Sequence, residues 1–117
     1  MIEELISRVF YTRNVAHWTH WRTKSYAQHM ALNTFYDSII DTLDKLVEAC
    51  QGAHGIVGAI PAPSASASDI IDHLEEESAW IAEHRSEIAY EVPALENIVD
   101  ELSAIYLSTI YKLKNLK

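Results

Sequence analysis

Almost every residue that could break a helix sits in one stretch. All three glycines and two of the three prolines fall within residues 52–67, GAHGIVGAIPAPSASA. A β-rich fold of 117 residues needs many tight turns, and the turn formers for them are missing elsewhere. What remains on either side must be long uninterrupted helix. The length suits one domain with one core, residues 1–117.

Apolar periodicity divides the chain into four helices. The first is predicted over residues 2–24, with Ile2, Leu5, Val9, Thr12 and Ala16 on one face and Ile6, Phe10, His17 and Trp21 beside it. Ser25-Tyr26-Ala27-Gln28 reads as a capping box that opens a second helix over 26–51. Leu32, Phe35, Ile39, Leu43, Leu46 and Cys50 form its core stripe, and Gly52 is expected to stop it. Ile56, Val57, Ala59 and Ile60 suggest that part of the following stretch packs, as a short helix. A third helix is expected over 68–90, capped by Ser68 or Asp69, with Ile70, Leu74, Ile81 and Ile88 inward. Pro93 suits the first turn of a fourth, over 93–116, with Leu95, Ile98, Leu102, Ile105, Thr109 and Leu113 inward. Short, long and short connections predict an all-α, ferritin-like four-helix bundle with a long crossover between helices two and three, with an up-and-down bundle and a wandering middle loop as the alternative.

Charge narrows the function. Seventeen acids against nine bases leave a net charge of −8, which argues against nucleic acid as a partner because phosphate neutralisation dominates that affinity. Residues 69–101 carry eleven acids and one base, Arg85, a face that could line a cavity or meet a partner. A single cysteine, Cys50, rules out an intrachain disulfide and a cysteine-built zinc site. No apolar run reaches the roughly 18 residues of a membrane span, and the first residues lack a basic signal-peptide region. The expected location is the cytoplasm.

The residue types that could carry chemistry concentrate in helices one and two. His17 and His20 share a helical face, and His29 opens helix two. Asn33, Asp37, Asp41, Asp44 and Glu48 then stack at spacings of three and four along one face. Asp44 and Glu48 could grip one metal ion, as could His29 with a neighbour one turn on. The two groups lie fifteen residues apart, about 22 Å along the axis, so one helix cannot bring them to one ion. An antiparallel second copy of helix two can, and symmetry would make two such sites per dimer. His73 and His84 lie among acids and read as solvated, while Trp18 and Trp21 read as packing residues.

This arrangement resembles Dps, the miniature ferritins that oxidise iron between two subunits. In that family a helix-one histidine before tryptophan is followed by a histidine twelve residues on, an aspartate 27 on and a glutamate 31 on. His17-Trp18, His29, Asp44 and Glu48 match each spacing. The stretch from Arg13 to Gly52 also resembles small ferritin-like proteins encoded by tailed phages. Their His-Trp-x-Thr-x-Ser-Tyr-Ala-x-His motif reads here from His20 to His29. The resemblance implies His17, His29, Asp44 and Glu48 as metal ligands, with Asn33, Asp37 and His20 as further candidates. It implies iron, as one ion or a di-iron pair, and a ferroxidase using peroxide or dioxygen. It also implies a homo-oligomer, from dimer to dodecamer, in the host cytoplasm if phage-encoded.

Two departures stand out. The family's aspartate four residues after the second histidine is Asn33 here, and an amide binds iron less well than a carboxylate. No glutamate lies three residues before any histidine, which argues against an intra-bundle centre of the ordinary ferritin kind. The alternative expectation is a metal-free bundle that dimerises through helices one and two.

Overall fold

A computed structural model describes residues 1–64 and 69–117. It contains four helices, α1 (Ile2–Arg22), α2 (Tyr26–His54), α3 (Ile70–Ala89) and α4 (Pro93–Asn115), and no strand among the described residues.

Local chemistry explains most of the boundaries. Ser25 caps α2 by accepting from the Gln28 N–H at 3.2 Å. The return half of the expected capping box is absent; the Ser25 N–H instead donates to Thr23 Oγ1. Gly52 does not end α2. The helix runs on to His54, and Gly55, at φ 97°, takes the left-handed position that terminates it. Asp69 caps α3 through the N–H groups of Ile71 and Asp72; the Ser68 alternative lies outside the described residues. Pro93 occupies the first turn of α4, where its missing N–H is not needed. Residues 55–64 form no helix, and Ile56 is exposed. Val57 packs against the core, held by a bond from its N–H to Gln51 Oε1, and the Gly58 N–H reaches Glu3 Oε2 at 2.8 Å.

Pairwise contacts fix the topology. Arg8 meets Glu77 and Thr12 meets His73, so α1 and α3 run antiparallel. Lys45 meets Glu101 and Phe35 meets Tyr106, so α2 and α4 do too. Arg85–Asp100 and Lys114–Glu75 make α3 and α4 a third antiparallel pair. The His54 and Tyr90 rings, 4.0 Å apart, put the C-terminal ends of α2 and α3 side by side. The helices therefore run up, down, down, up. The end of α2 and the start of α3 therefore lie at opposite ends of α3, a helix about 30 Å long at 1.5 Å per residue.

The core follows the predicted stripes of α2 and α3, but α4 is rotated. Leu95, Val99, Leu102, Tyr106 and Thr109 are its buried residues, while Ile98, Ile105 and Leu113 pack at the margin. Tyr106 takes the centre because its ring meets Phe35 edge-on at 5.2 Å. The expectation that His73 is solvated fails. It is buried, bonded to Thr12, and Glu77 one turn on is buried against Arg8.

Candidate metal centre

Where α1 ends and α2 begins, two imidazoles bind each other's backbone. His20 Nδ1 donates to the His29 carbonyl at 2.8 Å, and His29 Nδ1 donates to the His20 carbonyl at 2.9 Å. Their rings stack at 3.7 Å. Because carbonyls only accept, each ring carries its proton on Nδ1, leaving Nε2 as the lone-pair nitrogen of the neutral form. Metal-binding histidines are commonly oriented by such a bond from the far nitrogen.

The two rings differ in what surrounds Nε2. His20 is buried, and its Nε2 faces Tyr36 Oη at 3.3 Å. Tyr36 in turn donates to Asn33 Oδ1 at 2.6 Å, and Asn33 Nδ2 donates to Asp37 Oδ2 at 3.2 Å. Asn33 is thus engaged at both polar ends inside the chain, while the Tyr36 hydroxyl, its one proton given to Asn33, covers His20 Nε2 without donating to it. His29 Nε2 has no protein partner among the described residues.

His17 lies on the same side, its ring stacked on Tyr36 at 3.9 Å and tilted against Trp21 at 4.3 Å. Desolvation and the nearby Arg13 guanidinium and His20 hold its pKa below the ordinary 6.5, with Asp37 pulling the other way. A neutral ring near pH 7 is the form that binds metal. Asp37, Asp44 and Glu48 are exposed on α2, and the last two form no ion pair or hydrogen bond within the described chain.

The structure therefore gathers His17, His20, His29, Asn33 and Asp37 at one corner and leaves Asp44 and Glu48 several turns away on the same helix. Among the described residues, no group of three or more His, Cys, Asp or Glu side chains could hold a metal ion. A closed site inside one chain does not fit these residues. Trp18 and Trp21, expected to pack, are 49% and 66% exposed beside the corner. Sequence reasoning missed Tyr36, the hub of the network; its place one turn after Asn33 was the available signal.

Comparison with known proteins adds a family. The sequence signature of a family of unknown function (DUF5856) matches residues 20–113, most of the chain. The chain belongs to this family. The match begins at His20 and takes in the corner except His17. An uncharacterized 14.6 kDa protein from the mobD-ri intergenic region of Enterobacteria phage T4 is 28% identical over 100 residues, covering 83% of this chain and 75% of the phage protein. No solved structure matches the chain. Among the described residues, no helix is long and apolar enough to cross a membrane.

Proposed function

We propose that this member of the DUF5856 family is a ferritin-like protein of phage type that binds ferrous iron at a site completed by a second copy and oxidises it there. The observation that carries the reading is the pairing of two incomplete halves on one helix. His29 presents a fixed, unpartnered Nε2, and Asp44 and Glu48 are unpartnered carboxylates on the same α2 surface. Positions 29 and 48 lie equally far from the midpoint of that surface, between Asp37 and Ile40. An antiparallel second α2 would set each half opposite the other.

The up-down-down-up bundle with its full-length crossover supports the ferritin-like reading. His17 and His29 of one copy, with Asp44 and Glu48 of the other, supply the mixed imidazole and carboxylate set that suits ferrous iron. Ferrous iron is the substrate, giving one electron per ion to peroxide or dioxygen. Asn33 does not enter the ligand set, because Tyr36 and Asp37 already engage it; Asp37 stands as the nearer oxygen donor. The host cytoplasm is the compartment this reading assumes.

The exposed Trp18 and Trp21 favour a second reading, in which the same face makes a dimer and binds no metal. Elemental analysis after ferrous loading, with light scattering, separates the two. The iron reading expects about one or two ions per chain, faster ferrous oxidation, and loss of both in the Asp44→Ala/Glu48→Ala variant. A dimer that stays metal-free and leaves the oxidation rate unchanged refutes the iron reading and leaves the second.

A further inference from the structure

The seventeen acids are confined to two stretches of the chain. All of them fall in residues 3–4 and 37–101, so residues 5–36 and 102–117 hold seven of the nine bases and no acid. The fold brings these acid-free stretches together. The first half of α2 packs against the second half of α4, with Phe35 meeting Tyr106. The walls of the trough between them therefore carry no carboxylate, in a protein of net charge −8. Acids return only around it. Asp37 accepts from Asn33 on the α1 side of α2, Glu75 reaches Lys114 from the α3 side, and Glu101 is held by Lys45 at the far end, near exposed Asp41.

Two wells lie along the trough. One, of about 220 Å³, is walled by Thr34, Ser38, Ala104 and Ser108 over Phe35. The other, of about 210 Å³, is walled by Ala27, Met30, Ala31 and Leu116. Each has room for a leucine-sized side chain. They are centred about six residues apart along α4, or about 9 Å. Side chains at i and i+7 of a helix share one face about 10 Å apart, close to that spacing. Lys112 lines both wells, so it stands between them. It forms no ion pair or hydrogen bond within the described chain, and neither does Lys24 in the turn just before Ala27.

We propose that this α2–α4 trough docks an amphipathic helix of another protein, with two apolar anchors two turns apart and carboxylates along its flanks. The anchors fill the wells, and the carboxylates meet Lys112 and Lys24. A second copy has the charge without the anchors. Its most acidic helix, α3, exposes Asp72, Glu75, Glu76, Glu83 and Glu87 but no large apolar side chain. Two wells at a helical spacing also favour a helix over a lipid surface or a phosphate backbone, neither of which needs them. The trough lies on the other side of α2 from the histidine corner, so docking there does not rest on the iron reading.

Amide NMR shifts of the full chain test it. The titrant is a stapled helix of about three turns, with leucine at i and i+7, alanine between them on that face and glutamate on its flanks. Saturating shifts are expected over residues 27–38 and 104–116, with a dissociation constant of about 0.1 to 1 mM. A twin flanked by lysine, and a twin with both anchors cut to alanine, should each bind about tenfold more weakly or worse. Lys112→Glu should weaken the glutamate helix and strengthen the lysine twin, a crossover that misfolding cannot produce. Ser108→Phe fills one well and should abolish binding without lowering the melting temperature, since Ser108 is exposed. The proposal is overturned if the glutamate helix moves no shift at about 3 mM, or if the lysine twin binds as well. It is equally overturned if the shifts map to the histidine corner, if the trough shifts appear on concentrating the chain alone, which would give the face to a second copy, or if anionic vesicles move them and the helix does not, which would give it to lipid.

Discussion

Helix α1 meets two histidine-bearing neighbours in opposite ways. At the α2 corner, His29 is held through Nδ1 and keeps Nε2 open at a half-buried edge lined by exposed tryptophans. At the α3 seam, Thr12 engages His73 Nε2 at 2.9 Å, and Arg8 engages Glu77 at 2.7 Å while stacking on Trp80. Both places hold imidazoles and carboxylates within a few residues. One has lone pairs to offer and the other has spent them on the fold. Availability of the donor atom, more than residue type, distinguishes the two places.

The sharpest way to break that contrast is to remove one partner on each side. Arg8→Ala leaves the Glu77 carboxylate nearly buried with no cation, and should destabilise the bundle by about 3 kcal/mol. His29→Ala removes one hydrogen bond and a stack at a half-exposed edge, and should cost about 1 kcal/mol. Urea unfolding of both variants decides it. Equal losses would mean that the seam is no more structural than the corner.

The seam also harbours the one buried side-chain oxygen or nitrogen without a hydrogen-bond partner among the described residues, Tyr106 Oη. Thr12 is near enough to oppose the effect of burial on this phenol, but its hydroxyl is committed to His73 and the pair falls outside hydrogen-bond geometry. Burial, reinforced by the Glu77 charge, pushes the phenol far above its ordinary value of 10. With the folded pKa raised, this stabilisation is complete below the unfolded value and is lost as pH climbs above about 10. Tyr106→Phe should therefore flatten the alkaline loss of stability and, by deleting an unpaired hydroxyl, raise stability by about 1 kcal/mol at neutral pH. A destabilised variant would show that the hydroxyl has a partner after all.

A smaller gain is available at the α3–α4 turn. Tyr90 and Glu91 both adopt left-handed backbone, at φ 52° and 57°, without being glycine. Tyr90 recovers something by stacking on His54, whereas the Glu91 side chain is exposed and makes no recorded ion pair or hydrogen bond. Glu91→Gly should stabilise by about 0.5 kcal/mol, measured by thermal unfolding.

Much of this fold is legible in the sequence because helix period and turn scarcity are local signals. Leu32, Phe35, Ile39, Leu43, Leu46 and Cys50 follow the stripe that their spacing dictates. The crossover is legible for a similar reason, since the only long breaker-rich stretch must join α2 to α3. The seam is not. His73 and Glu77 sit in the most acidic segment, and only the approach of Arg8 and Thr12, more than sixty residues away in sequence, makes their burial affordable. The α4 rotation was hidden in the same way, because Ile105 and Tyr106 are both apolar and only Phe35 decides which turns inward. At the corner, the histidines and acids stood out by spacing, but that His20 Nε2 is covered while His29 Nε2 is open depends on where Tyr36 packs, which no spacing reveals.

The finest test concerns His17, a half-buried ring whose own titration can be followed directly. Its lowered pKa means that the folded chain prefers the neutral ring, a preference fully present above 6.5 and lost as pH falls through the folded value. Desolvation by the neighbouring rings, the Arg13 guanidinium and His20 lower it, and Asp37 raises it. Following the His17 ring proton by NMR should give a midpoint below 6.5. Arg13→Gln should move that midpoint up and Asp37→Asn should move it further down. Opposite responses to these two substitutions place His17 between the guanidinium and the carboxylate, facing the α2 acids as the shared-site reading requires. A midpoint indifferent to both would put the ring in solvent, and His29 would then stand alone as the imidazole of each half-site.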